Sequence, residues 1–238
     1  METALTKIPY SEIAQKLNGN VTSVLSADGF VGFEKAYLIA EAAGQLKKIL
    51  TNEYMRPIME LQGNRLGFKT DKDDKGGYAE PVVKNCLIEA VLTGVQPFGN
   101  HFNIIAGNCY ITKEGFGYLL KKTRGLKYEI VPTLPRMDST KGSAAVVMKI
   151  KWSANGEATQ EREIDFPIKM NQYMGADAVI GKATRKARAW LFNTIHDTEI
   201  ADGDIQDVEA KDVTAELNAD EKKQQMRLSN KDGKLNLP

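Results

Sequence analysis

The chain has 238 residues, of which 42% are hydrophobic, 26% charged and 8% aromatic, with a net charge of +1. That composition is ordinary for a globular protein and excludes wholesale disorder, a collagen and a disulfide-stapled miniature. The longest apolar runs, such as Ala144 to Met148, are a few residues long, whereas a membrane-spanning helix needs roughly 20. The opening METALTKIPYSEI has no basic segment followed by an apolar one, so no secretory signal is expected and the cytoplasm is the expected location. Cys86 and Cys109 are then expected as free thiols. His101 and His196 cannot complete a Cys/His zinc site at any standard spacing.

Residues 1–33 are mixed, with Asn18-Gly19-Asn20 and Asp28-Gly29 read as turns, and are assigned to an N-terminal assembly segment. From Glu34 to about Leu61, Tyr37, Leu38, Glu41, Ala42, Leu46, Ile49, Leu50 and Tyr54 recur at helical spacing, with Pro57 marking a break or kink near the end. A polar loop follows from Thr70 to Gly77. A helix is predicted from Glu80 to Thr93, opened by Pro81 and stopped by Gly94. Two apolar runs around Gly107-Asn108 predict a hairpin, and Lys113 to about Arg124 a short helix ended by Gly125. Three strands come next: Leu126–Thr133, Ser143–Trp152 and Ala158–Phe166, the last two joined at Asn155-Gly156. An Ala-rich helix from about Ala176 to Ile195 closes the unit. The fold class is therefore α+β: N-terminal helices, one small, mostly antiparallel sheet with an inserted helix, and a long basic helix. The core is taken as 34–198 and an acidic linker and flexible tail as 199–238.

The small net charge conceals a strong asymmetry. Asp197 to Glu221 holds ten acids and one base, a net −9, and Lys222 to Pro238 carries +4. Residues 1–196 are left with +6, a basic body ahead of an acidic segment, which suggests a surface for a polyanion. Within the last helix, Val179, Ile180, Ala183, Ala187, Trp190 and Leu191 form one apolar stripe for the sheet. Lys182 and Lys186 flank it, and Arg185 and Arg188 are placed on its far face. No acid stands between Asp177 and Asp197 to neutralise these four bases along the helix, and phosphate would relieve their repulsion. A solvated basic face is the plain alternative. Lys113, Lys121, Lys122, Arg124 and Lys127 make a second cluster against Glu114, and Lys149, Lys151 and Lys169 extend it. Lys121 and Lys122 also suit the C-terminal end of a helix dipole. Phe98, Phe102, Tyr110, Phe116, Tyr118, Tyr128, Trp152, Tyr173 and Trp190 are interleaved with these bases. Most belong to the core, and Tyr173 is the residue singled out for stacking on a base.

Other chemistry is weakly signalled. Gly181-Lys182-Ala183-Thr184 fails as a phosphate-binding loop, because Ala follows the lysine and the segment is already helical. Neither histidine sits beside a nucleophile signature. Asp71, Asp73 and Asp74 lack the terminal glutamate of a calcium loop. Glu161, Glu163 and Asp165 alternate along a strand and offer a remote nuclease reading.

The run Leu92-Thr-Gly-Val-Gln-Pro-Phe-Gly-Asn-His-Phe-Asn-Ile-Ile105, followed by Tyr110-Ile-Thr-Lys-Glu-Gly-Phe-Gly-Tyr-Leu-Leu-Lys-Lys-Thr-Arg-Gly125, resembles the RecT/Redβ single-strand annealing proteins of phages. Gly175 to Ile195 is similar to their late basic helix ahead of an acidic tail, with Tyr173 where some members carry Trp. The resemblance spans about residues 80–205. It implies ATP-independent binding of single-stranded DNA and annealing of complementary strands in homologous recombination, without bond-making chemistry, metal or cofactor. It further implies a homo-oligomeric ring or filament with an annealed duplex intermediate in a basic groove. Lys113, Lys121, Lys122 and Arg124 would line that groove from one side, and Lys182, Arg185, Lys186 and Arg188 from the other. A phage exonuclease and the host single-strand binding protein are the implied partners of the tail; no membrane is involved. The alternative is a nucleic-acid-binding or assembly protein that protects one strand without annealing. On the groove reading, a Lys182→Ala, Arg185→Ala double substitution should cut DNA binding and leave the fold intact.

Overall fold

The computed structural model describes residues 10–27, 31–171 and 173–196. Three helices open it: α1 (Tyr10–Leu25), α2 (Gly32–Ile49) and α3 (Asn52–Met59). The expected helix from Glu34 to Leu61 is thus two helices, parted at Leu50-Thr51 ahead of Pro57. Asn18-Gly19-Asn20 lies inside α1, where Leu17, Val21 and the buried Val24 pack inward. Tertiary burial overrides turn propensity there, as it does for most helices in proteins. Part of the segment assigned to 1–33 is thereby packed on α2 and on α4 (Glu80–Thr93). α4 keeps its expected bounds, with Pro81 in its first turn and Gly94 in the left-handed conformation that ends it.

The strands form two sheets where one was expected. β1 (Lys69–Thr70) pairs in parallel with β2 (Phe102–Ile105), which forms a hairpin with β3 (Asn108–Ile111). α5 (Lys113–Lys122) follows and lies between the sheets in sequence; it is not inserted within either. The second sheet is built on β6 (Ser143–Ser153). β7 (Gln160–Lys169) runs along one edge of β6, and β4 (Lys127–Pro132) and the short β5 (Arg136–Asp138) share the other. Asn155 and Gly156, both at positive φ, turn β6 into β7. Among the described residues the architecture is mixed α+β, and no helix is long and apolar enough to cross a membrane.

α6 (Ala176–His196) joins two hydrophobic cores. On one side Val179, Ala183, Ala187 and Leu191 pack with Val146, Met148, Ile150 and Trp152 of β6, as the apolar stripe predicts. On the other, Ala189 and Phe192 meet the core formed by α2–α4, the first sheet and Phe116 of α5. The helix is therefore covered on two opposite faces, and only its flanks meet solvent.

Candidate nucleic-acid interface

α5 runs alongside α6 in the same direction. A Cβ built at Gly181 would lie 4.0 Å from Lys113 Nζ, the Phe116 and Phe192 rings are 6.2 Å apart, and Thr123 Oγ1 is 3.0 Å from His196 Nε2. Gly117 makes this approach possible, since a Cβ there would stand 2.8 Å from the Arg188 guanidinium. Thr112 caps α5: its Oγ1 accepts from Gly115 N–H at 3.1 Å and donates to Asn100 O at 2.6 Å. The packing sets the backbone of Lys113 against Arg188 and its ammonium against Gly181, two turns earlier on α6, while Lys182 stands about 100° further round the helix and reaches toward β7. Bases from stretches about 70 residues apart in sequence meet there.

The far face assigned to Arg185 and Arg188 is not open to solvent, because α5 and the hairpin cover it. Arg185 is only 6% exposed. Its Nε donates to Ile111 O at 2.8 Å, and its guanidinium lies 3.9 Å from the Tyr110 ring centroid and 5.6 Å from that of Phe116. Arg188 is half-buried and donates from Nη1 to Lys113 O at 2.5 Å. These two guanidiniums satisfy backbone carbonyls at the entrance to α5 and tie that helix to α6. This geometry gives Arg185 a structural role, so its removal should cost stability and not act on DNA binding alone.

Lys182 is exposed on the α6 flank, and its Nζ donates to Lys169 O at 3.3 Å. Lys186, one turn further, is half-buried. Lys113 is half-exposed, with its Nζ 3.7 Å from Glu114. Lys121, Lys122 and Arg124 are exposed at the other end of α5, about 13 Å from Lys113 at 1.5 Å per residue. Lys122 also lies 5.0 Å from the centroid of the Tyr118 ring.

Lys149 and Lys151 do not extend this line. Ala144 to Trp152 alternates, with even-numbered residues buried against α6 and odd-numbered ones on the opposite face of the sheet. Lys149 Nζ lies 2.9 Å from Glu163 and Lys151 Nζ 3.6 Å from Glu161, directly across the β6–β7 ladder. The Glu163 carboxylate, hydrogen-bonded and close, holds the Lys149 ammonium above the usual lysine range. Asp165 pairs with Arg136. All three carboxylates that could have suggested a nuclease thus face cations of the same sheet, Glu161 and Glu163 on the adjacent β6 and Asp165 across β6 on β5. Lys127 and Lys169 stand opposite Ser153 and Ser143 in register, on this same outer face, so Lys169 offers the α6 flank its carbonyl.

Tyr173 is 87% exposed three residues ahead of α6, its N–H donating to Asn171 Oδ1 at 3.1 Å. Phe98 is also exposed. Phe102, Phe116 and Trp152 are core, Trp152 meeting Trp190 edge-on at 5.5 Å, and Tyr110 is the platform under Arg185. Asp71 and Asp73 serve their own loop: Asp71 accepts from Tyr78 O–H and Ala106 N–H, and Asp73 from Thr70. The acidic segment from Asp197 and the tail lie outside the described residues.

No family model, curated protein or solved structure matches this chain.

Proposed function

We propose that this chain binds single-stranded DNA and promotes the pairing of complementary strands without a nucleotide cofactor, working as a homo-oligomer. The observation that carries the reading is the seating of α5 on α6, which brings Lys113 to Gly181, the residue before the exposed Lys182, and leaves Lys121 and Arg124 exposed at the far end of α5. An exposed tyrosine near the start of α6 supplies a stacking surface. Annealing needs no bond chemistry, because base pairing provides the free energy. The protein must offset repulsion between two phosphate backbones and leave base edges open, and a row of exposed cations does so. The resemblance to RecT/Redβ proteins supports the same reading and extends it to partners of the tail, a phage exonuclease and a host single-strand binding protein.

The test is the rate at which two complementary labelled oligonucleotides pair with and without the protein, in buffer free of nucleotide. The proposal expects acceleration that weakens steeply with salt. Binding that slows pairing would assign a strand-protecting role in its place. Binding of neither strand would remove the nucleic-acid reading altogether.

A further inference from the structure

Two features of the helical end of the molecule are unexplained by DNA binding. The first is a pair of aromatic side chains on α2, Phe33 and Tyr37, which are 84% and 75% exposed. They are four residues apart and stand one above the other on a single helix face. Ala36 and Ala40, also exposed, continue that face, and Glu34 and Glu41 border it on one side. At this exposure the aromatic pair buries little surface against the described residues of its own chain.

The second feature is an apolar cavity of about 460 Å³ between α1, α2, α3 and α4. Leu17, Val21, Leu46, Ile58, Leu87 and Val91 are among its walls. Leu25 and Phe98 stand at its rim and are themselves exposed, and Lys122 is its only charged lining residue among those described. A volume of this size matches pockets that hold whole side chains or small ligands.

A single copy cannot bring the two together. Phe33 and Leu46 are on the same helix, about 20 Å apart along its axis, and at about 100° per residue they point to nearly opposite sides of it. The ridge therefore faces away from the cavity that α2 helps to form. We infer that Phe33 and Tyr37 of one copy dock into the α1–α4 cavity of a second copy, with Glu34 and Glu41 meeting Lys122 at the rim. The occupant has the right chemistry: two aromatic knobs for an apolar hole, and acids for the lone cation. The contact joins unlike surfaces, so each added copy presents a fresh ridge and a fresh hole. Chains or closed rings follow, and not a two-fold dimer. The inference deepens the oligomeric part of the proposed function and rests on that reading only there.

The experiment is analytical ultracentrifugation of the full chain at micromolar concentration. Phe33→Ser with Tyr37→Ser removes the ridge, and Leu25→Glu places a like charge at the rim to repel Glu34. Circular dichroism melting confirms that each variant is folded. The unaltered chain should sediment well above monomer mass, and each variant as a monomer. An equimolar mixture of the two variants should recover one competent ridge and one competent hole, and so give a dimer that grows no further. A monomeric unaltered chain, a folded variant that assembles as the unaltered chain does, or a mixture that stays monomeric would each overturn the inference. Anisotropy of a short labelled oligonucleotide separates this outcome from the DNA reading. The monomeric variants keep Lys113 and Lys182 and should still bind it, whereas failure of the DNA reading abolishes that signal without affecting assembly.

Discussion

Arg185 decides between two accounts of the last helix, and Arg185→Met tests them. The substitution removes the Nε–H to Ile111 O bond and the stacking of the guanidinium on Tyr110, while keeping much of the apolar contact. A hydrogen bond from a charged donor is worth about 2 kcal/mol, and a largely desolvated cation–ring contact about 1–2 kcal/mol. Relief of the guanidinium's own desolvation offsets part of that loss, which leaves a net destabilisation of about 2 kcal/mol. For a chain of this size each kcal/mol moves the melting temperature by about 2–4 °C, so a fall of about 4–8 °C is expected. Lys182→Ala, an exposed change, should alter stability by less than about 0.5 kcal/mol and act on DNA binding alone. Circular dichroism melting and oligonucleotide anisotropy on the same two preparations measure both effects. If Arg185→Met melts with the unaltered chain and loses DNA binding as Lys182→Ala does, Arg185 is a phosphate contact and the described packing is wrong.

Three further outcomes follow from the same geometry. If Lys113, Lys121, Arg124 and Lys182 each meet one phosphate of a single strand, the logarithm of the affinity should fall against the logarithm of salt with a slope of about −2.8, and Lys113→Ala with Lys182→Ala should bring it to about −1.4; a slope unaffected by that pair places the contacts elsewhere. Gly115→Ala would drive a Cβ to 2.1 Å from His101 O and 2.9 Å from Ile111 Cγ2, so it should lower stability by about 2–3 kcal/mol in a urea titration, and an unchanged midpoint would refute the tight join between hairpin and α5. Burial pulls the His101 imidazole below its ordinary pKa of 6.5, against a smaller opposing pull from Glu114. The unfolded chain then binds the proton more readily, so stability is full above about pH 6.5 and declines as pH falls through the folded value. The melting temperature should therefore drop more between pH 7.5 and 5.5 in the unaltered chain than in His101→Asn, and equal drops would assign the sensitivity to other groups.

How much of this was readable in the sequence depends on the range of the interaction responsible. α4 was legible because Pro81 and Gly94 act within a turn of its ends. The β6–β7 hairpin was legible because Asn155-Gly156 dictates a local geometry. The apolar stripe of α6 named one buried face correctly, but periodicity sends charged residues to water by default, and so placed Arg185 outside. Only the arrival of α5 and the hairpin, far away in sequence, turns that second face inward. Gly115 and Gly117 carried the available signal: two glycines inside one short helix cost backbone entropy and mark a close neighbour. β1 and β5 are two and three residues long and show no alternation to read. Lys149 and Lys151 lay within reach of strand alternation, which puts them on the face away from α6 once β6 is fixed.

The position of α6 has a mechanical consequence. Both hydrophobic cores close on the same rod, so neither can loosen without stripping one of its sides. Amide protons in its middle turns should be the slowest in the molecule to exchange with deuterium, since their release demands that both halves come apart at once. A nucleic-acid strand drawn along its flank would rest on a stiff keel, able to hold a stretched backbone at fixed spacing against thermal recoil.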